Sequence, residues 1–144
     1  VMVYLLYHRH IIDSLVYDDK LIGIYSSYEK AENAIIRYSD LPGFCDCLSG
    51  FHIIGYDVKP KKTRMEMHGM EYAKAVWVLF VEIVLEDEDD KITESYDIYS
   101  GRLSAAIGLV FKWLTQSHSV KRRFSSVKYI IDQDNWCEGF VTIN

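Results

Sequence analysis

Proline is scarce in this chain: only Pro42 and Pro60 occur among 144 residues. Nearly every backbone N–H is therefore available to a ladder or a helix, and the two prolines mark places where regular structure breaks. Cysteine is too scarce for a stapled fold. Three is an odd number, and Cys45 and Cys47 are too close for an ordinary bridge between elements, which suits a reducing cytosol better than a secreted scaffold. Positive charge is also short. Sixteen Lys and Arg against 21 Asp and Glu leave a net charge of −5, the wrong sign for neutralising phosphates, so no nucleic-acid partner is expected. The basic run Lys121-Arg122-Arg123 is too small to reverse that.

Long apolar runs are missing as well. The longest, Ala75 to Val81, falls far below the roughly 20 residues that a membrane-spanning helix needs. The apolar start, Val1 to Tyr7, is too short for a signal peptide and has no basic region before it. A cytoplasmic protein with no membrane partner is expected.

Catalytic signatures are equally thin. There is no Walker loop, no dinucleotide glycine fingerprint and no Gly-x-Ser-x-Gly. Ser26, Ser27, Ser100 and Ser104 read as helix caps and first-turn residues, and Gly23 and Gly139 as backbone bends. His8-x-His10 is the sharpest metal-like pattern, because residues two apart on a strand share a face. Cys45-x-Cys47 could add thiolates, yet zinc pairs are usually separated by about two to four residues and no second pair follows. The simpler reading is a half-buried histidine near a strand end and two loop cysteines. Cys47 or Cys137 could be matched with any of five histidines, a freedom that specifies no nucleophile. No catalytic residue, metal or cofactor is assigned, and an enzyme is not expected.

What the chain does have is apolar mass, at 49%, and eleven tyrosines. The apolar share supports a substantial core, and Tyr suits half-buried sheets and protein interfaces. It also has an echo. Tyr4-Leu5-Leu6-Tyr7 leads to Ile24-Tyr25-Ser26 and then Ala31, Ile35 and Ile36. Trp77-Val78-Leu79-Phe80 leads, with one more residue between, to Ile98-Tyr99-Ser100 and then, at matching offsets, to Ala105, Leu109 and Val110. An Asp-Asp-Lys turn (Asp18 to Lys20, Asp89 to Lys91) falls between the paired elements each time. Internal repetition of this kind fixes architecture before any residue has a role.

Each half reads as strand, strand, helix, strand. Val3 to Arg9 alternates on both faces, His10 to Asp19 reads as a long irregular connection, and Leu21 to Tyr25 returns. Ser26 offers an N-cap with Glu29 as its capping-box partner. The helix that follows to about Tyr38 carries Tyr28, Ala31, Ala34, Ile35 and Tyr38 on one stripe. Leu41-Pro42-Gly43-Phe44 stops it, and Phe51 to Val58 is the third strand. In the second half, Ala75, Trp77, Leu79, Val81, Ile83 and Leu85 form an apolar strand face, with Glu82 and Glu86 opposite. After Ile92 to Ile98, Ser100 caps a helix over Arg102 to Gln116 with Leu103, Ile107, Val110, Phe111 and Leu114 inward. Val127 to Ile131 is its last strand, and Trp136 to Ile143 suggests a short extra one.

The fold class expected is α+β: a single domain over residues 1–144, mainly antiparallel sheet with two helices. Its halves are 3–58 and 76–131, joined by a linker over 59–73 and closed by 132–144.

Tyr4-Leu5-Leu6-Tyr7-His8, Lys20-Leu21-Ile22-Gly23-Ile24-Tyr25-Ser26-Ser27, Pro42-Gly43-Phe44 and Trp136-Cys137-Glu138-Gly139-Phe140 together resemble a family of short bacterial domains of unknown function. Its members read Y-x-L-x-H, K-x-I-G-x-Y-S-S, P-G-F and W-x-E-G-F. Those short members run almost directly into the ending, whereas here a second unit intervenes between Val58 and Asp132. The resemblance implies no activity. Small acidic domains of this style are similar to immunity proteins, which neutralise a toxin delivered by a neighbouring bacterium.

The leading expectation is a small acidic binding protein, as an immunity protein would be, that binds a basic toxin domain, for example a nuclease. Glu86 to Asp90 is a row of carboxylates that would steer a cation. The contact residues expected are Asp87, Glu88, Asp89 and Asp90 with Tyr96, and Tyr17 with Asp18. The alternatives are a regulatory or scaffold module that self-associates through a strand edge, and a small metal- or thiol-dependent enzyme using His8, His10, Cys45 or Cys47. Oligomeric state is left open.

Overall fold

Residues 2–13, 16–59, 75–84, 91–116 and 119–140 are described by a computed structural model, with backbone alone for 11–13, 16–18 and 91–95. In chain order the elements are strands β1 (Met2–Asp13) and β2 (Val16–Tyr25), helix α1 (Tyr28–Tyr38), a 3-10 turn (Leu48–Gly50) and strand β3 (Phe51–Asp57). Then follow β4 (Ala75–Val84), β5 (Lys91–Tyr99), helix α2 (Arg102–Thr115) and β6 (Arg122–Ile130). They build two three-stranded antiparallel sheets with one helix each, and the fold class is α+β.

The two halves share their strand plan. The order is β2-β1-β3 in one sheet and β5-β4-β6 in the other, so the first strand of each half is central. The pairing starts alike, with Tyr4 opposite Tyr25 and Trp77 opposite Tyr99, and each tyrosine ends its strand. Successive side chains of a strand point to opposite faces, so apolar residues in succession on β1 and β4 mark strands buried on both faces. Leu5, Leu6, Val76, Val78 and Leu79 are all fully buried.

The halves also differ in how the chain completes them. The chain divides into two compact units. One comprises residues 2–56 with the segment from Ile131 onward; the other, residues 57–130, is inserted between those pieces. In the discontinuous unit, Leu6, Ile22 and Tyr25 pack with Ala31, Ala34 and Tyr38 of α1 and with Phe44, and Phe140 of the closing segment joins them. Within the inserted unit, Lys59 forms a parallel bridge to Tyr99, donating to the Ile98 carbonyl at 2.7 Å and accepting from the Ser100 N–H at 2.8 Å.

Several expectations are corrected. The segment His10 to Asp19 is mostly strand rather than an irregular connection: His10 pairs with Asp18 and Ile11 with Tyr17. Runs of β-branched and aromatic residues on both sides favour continued pairing. Asp18, Asp19 and Lys20 therefore lie within β2 and form no turn. Ser27, not Ser26, caps α1, accepting from the Lys30 N–H at 3.2 Å. Ser26 is occupied elsewhere, its N–H and hydroxyl both donating to Asp132 at 2.8 Å. Gly101, not Ser100, is the N-cap of α2 and contributes no side chain to it.

On β4, Leu79 and Val81 are buried as expected, but Trp77 and Ile83 are only half-buried, while Val76, Val78 and Val84 on the other face are buried. Val78 and Leu79 are buried in succession, so both faces of β4 are covered in its middle; the register shift at Val81/Glu82 comes from an extra residue, Glu94, on β5. The ending shows no strand over 136–140. The Gly139 N–H donates to the Trp136 carbonyl at 2.9 Å, with φ of +75° at Gly139 and +60° at Trp136, a turn geometry that no strand adopts. The linker expected at 59–73 lies, beyond Lys59, outside the described residues.

Candidate functional site

The largest departure from expectation is the orientation of α2. The stripe Leu103, Ile107, Val110, Phe111 and Leu114 was expected to face the sheet, and it faces solvent. Leu103 is 75% exposed, Phe111 66%, Leu114 65% and Ile107 62%, with Val110 and Trp113 also more than half exposed. The side of the helix turned to the sheet carries the small or polar residues Ser104, Ala105, Gly108 and Lys112, with Leu109 half-buried at its margin; only Ala105 is fully buried.

The physical cause lies beneath the helix. Gly108 sits against the Tyr99 ring so closely that a Cβ there would overlap the phenol, and only a helix face of small residues approaches a sheet that tightly. Asp97, on β5 and nearly buried, holds the Lys59 ammonium at 2.8 Å and the Lys112 ammonium at 3.3 Å. Lys112 thereby fixes the inward side of α2. Burial beside Asp97 raises the Tyr99 phenol above its ordinary pKa, so it stays neutral and packs as an apolar ring with a polar tip.

The outward side has a specific shape. Ala106, Ile107, Val110, Phe111 and Leu114 line a shallow hollow with an almost entirely apolar surface. The last four of these stand at i, i+3, i+4 and i+7. That is the arrangement of the four side chains that receive a knob from a facing helix.

The expected contact residues are not brought together by anything described. Asp87, Glu88, Asp89 and Asp90 lie outside the described residues, and Tyr17 and Asp18 are placed only by their backbone in β2. Tyr96, on β5, is half-buried and stands edge-on to Phe80 at 5.3 Å, a cross-strand packing position.

The histidine and cysteine patterns also resolve into packing. His8 is fully buried, its ring edge-on to Phe44 and Phe51 at 5.1 and 4.9 Å, and its Nε2 lies 2.7 Å from the Cys47 carbonyl oxygen. Cys47 thus meets His8 through its backbone rather than its thiol. Burial lowers the His8 pKa; the Cys47 carbonyl opposes this, and the charges of His10, Lys20 and His52 add to the lowering. Cys45 and Cys137 are exposed, and among the described residues no three or more His, Cys, Asp or Glu are grouped to hold a metal. No described helix is long and apolar enough to cross a membrane.

The ending is a polar clamp. Asp134 accepts from the Tyr25 hydroxyl at 2.6 Å and takes a two-pronged bond from Arg37, both prongs at 2.8 Å. Asp132 accepts from Ser26 and from the Lys30 ammonium at 3.1 Å. Backbone bonds add Asp132 N–H to Ile24, Asn135 N–H to Ile22 and Phe140 N–H to Pro42, each at 2.8–2.9 Å. The Lys20 ammonium lies 4.0 Å over the Phe140 ring and 5.4 Å over Trp136. Phe140 packs against the core of this unit, while Trp136 remains nearly half exposed. Every partner of this clamp belongs to the discontinuous unit, and its geometry is that of a fastening.

Comparison with known proteins agrees with this division. Residues 1–66 match a family model described as a domain of unknown function, DUF7336. The match covers β1, β2, α1 and β3 and ends before β4. No curated protein and no solved structure matches the chain. The inserted unit, which carries the apolar face of α2, lies almost wholly outside the family match.

Proposed function

We propose that this chain is a small acidic protein-binding module and that the outward side of α2 is the surface on which association is built. One observation carries the reading: six large apolar side chains, Leu103, Ile107, Val110, Phe111, Trp113 and Leu114, are each more than half exposed on a single helix. Scattered exposed apolar residues are ordinary, but a contiguous set on one element marks an interaction surface. Each is already partly covered by its own helix, so burying the remainder is worth about 1–2 kcal/mol per side chain, and a partner that covers the set gains several kcal/mol toward offsetting the entropy of association.

The test compares the parent with Ile107→Glu/Phe111→Glu in binding to host proteins and to itself, with circular dichroism as the control for folding. The reading predicts loss of association with the helix retained. A folded variant that keeps every association of the parent removes α2 from the function.

A second reading concerns the partner that the charge favours. The net charge of −5 and the run Glu86 to Asp90 suit a basic protein domain. Where that domain is a bacterial toxin, the chain acts as its immunity protein, with Asp87, Glu88, Asp89, Asp90, Tyr96, Tyr17 and Asp18 as contacts. Charge reversal at Asp87 and Asp89 would slow association with such a domain and flatten its salt dependence. An unchanged association rate leaves the run as a solubility device.

A further inference from the structure

We infer that the occupant of the α2 face is the α2 helix of a second copy of this chain, paired about a twofold axis. The inference rests on the reading of α2 as an association surface and names its partner.

Spacing comes first. Leu103, Ile107, Val110 and Leu114 are separated by four, three and four residues, the interval of a coiled-coil seam. Ala106, Ile107, Val110, Phe111 and Leu114 line a shallow apolar hollow, so the same helix supplies both knobs and a hole. A twofold interface needs that self-complementarity, because each copy must present and receive the same patch.

Charge comes second. The helix carries no Asp or Glu; its cations are Arg102 at the N-terminal end and Lys112, which is turned onto Asp97. Two copies of this seam therefore meet without like charges in the middle, even though the whole chain is acidic.

Area comes third. At their fractional exposures, the six outward side chains offer roughly 800 Å², about what one partner contributes to a stable interface of standard size. A single buried loop or a small ligand would leave much of that surface wet. A second helix of matching length covers it.

Sedimentation equilibrium of the full chain across a range of concentrations provides the test, with Phe111→Glu and Leu114→Glu as seam variants. Ile36→Glu is the control, because Ile36 is 71% exposed on α1 and is no part of the seam. The expected result is a dimer whose dissociation constant rises by at least about 30-fold in either seam variant and stays unchanged in Ile36→Glu. Circular dichroism confirms that each variant is folded. A chain that is monomeric at every concentration overturns the inference, and so does a dimer indifferent to both seam variants. If the monomer still binds another protein through α2 and Phe111→Glu abolishes that binding, self-pairing falls while the binding-module reading stands. If neither kind of association exists, both fall.

Discussion

Gly108 and Tyr99 are in direct apposition: a Cβ at Gly108 would overlap the Tyr99 hydroxyl and ring. This one contact explains how α2 can lie on its sheet with its small side down and its large apolar side out. It also reverses an ordinary expectation. In an exposed helix interior, Gly→Ala stabilises by about 1 kcal/mol. At Gly108 the added methyl must push the helix off Tyr99, and overpacking of that kind costs about 1–3 kcal/mol. Urea melts of Gly108→Ala should therefore show destabilisation, with Gly108→Ala/Tyr99→Leu recovering part of it. A stabilised Gly108→Ala would mean that the helix does not sit on Tyr99.

The clamp on the ending yields a second expectation. Removing the Asp134 carboxylate leaves the buried Tyr25 hydroxyl without its acceptor. Asp134→Ala should cost about 1–3 kcal/mol on that account; the half-exposed Arg37 contributes less, because solvent screens it. The pH dependence has a definite sign. The Arg37 bond holds Asp134 below the usual carboxylate range against burial, and Tyr25 reinforces it. At Asp132 burial pushes upward, but the Ser26 N–H and hydroxyl and the Lys30 ammonium outweigh it, leaving that pKa lowered. Both groups stabilise the fold fully above their unfolded pKa of about 3.9 and lose that contribution as pH falls through the folded values. Hydrogen exchange should show the Asn135 and Phe140 amides losing protection first on acidification, and at neutral pH in Asp134→Ala. Unchanged protection in the variant would assign the fastening to Asp132, Phe140 and the backbone bonds.

Much of this architecture is legible in the sequence, and the misreadings share a cause. The offset from Tyr4 to Tyr25 and from Trp77 to Tyr99 located the paired strands, because register and side-chain alternation are written locally. The stripe on α2 was also legible, but its direction was not. Periodicity shows that Leu103, Ile107, Val110 and Leu114 share a side; it does not say whether that side meets its own sheet or another molecule. The discriminating signal was the opposite stripe, Ser104, Ala105, Gly108 and Lys112, in which a mid-helix glycine is tolerable only where close approach demands it. The clamp was half legible. Trp136 to Phe140 stood out as a motif, but no local pattern links Asp132 to Ser26 or Asp134 to Arg37 across roughly a hundred residues.

The inserted unit gives a third expectation. The segment from Ile131 onward completes the unit formed by residues 2–56, and the family match falls on its N-terminal part. A chain in which residues 59–130 are replaced by a short flexible Gly/Ser linker should therefore fold, with the Tyr25–Asp134 and Phe140 contacts intact. The reason is that the cluster of Leu6, Ile22, Tyr25, Tyr38 and Phe44, which includes the packed side of α1, uses nothing from the excised stretch. Cooperative melting and dispersed amide resonances would confirm it. The same chain cut after residue 58 lacks the clamp and should melt at a lower denaturant concentration. Equal stability of the two would show that the ending is dispensable.

His8 gives the last. Its ring is enclosed by Phe44, Phe51 and Phe140, and the titratable groups that bear on it are basic, each disfavouring a charge on His8: His10 on its own strand, Lys20 opposite on β2, and His52 on β3. Only the Cys47 carbonyl favours the protonated form, and burial outweighs it, so the folded pKa lies below the unfolded value of 6.5. As pH falls below 6.5 the unfolded chain takes up a proton that the folded chain refuses, and stability declines until the folded imidazole itself titrates. The decline therefore begins well above the range in which Asp132 and Asp134 act, and the two should appear as separate steps. Denaturant midpoints between pH 7.5 and pH 5 should fall for the parent and flatten in His8→Phe, which keeps the aromatic packing and removes the titration. The variant starts lower at neutral pH, because the Cys47 carbonyl loses its partner. The decisive quantity is thus the slope with pH rather than the level. A slope in His8→Phe equal to that of the parent would place the acid sensitivity on other groups.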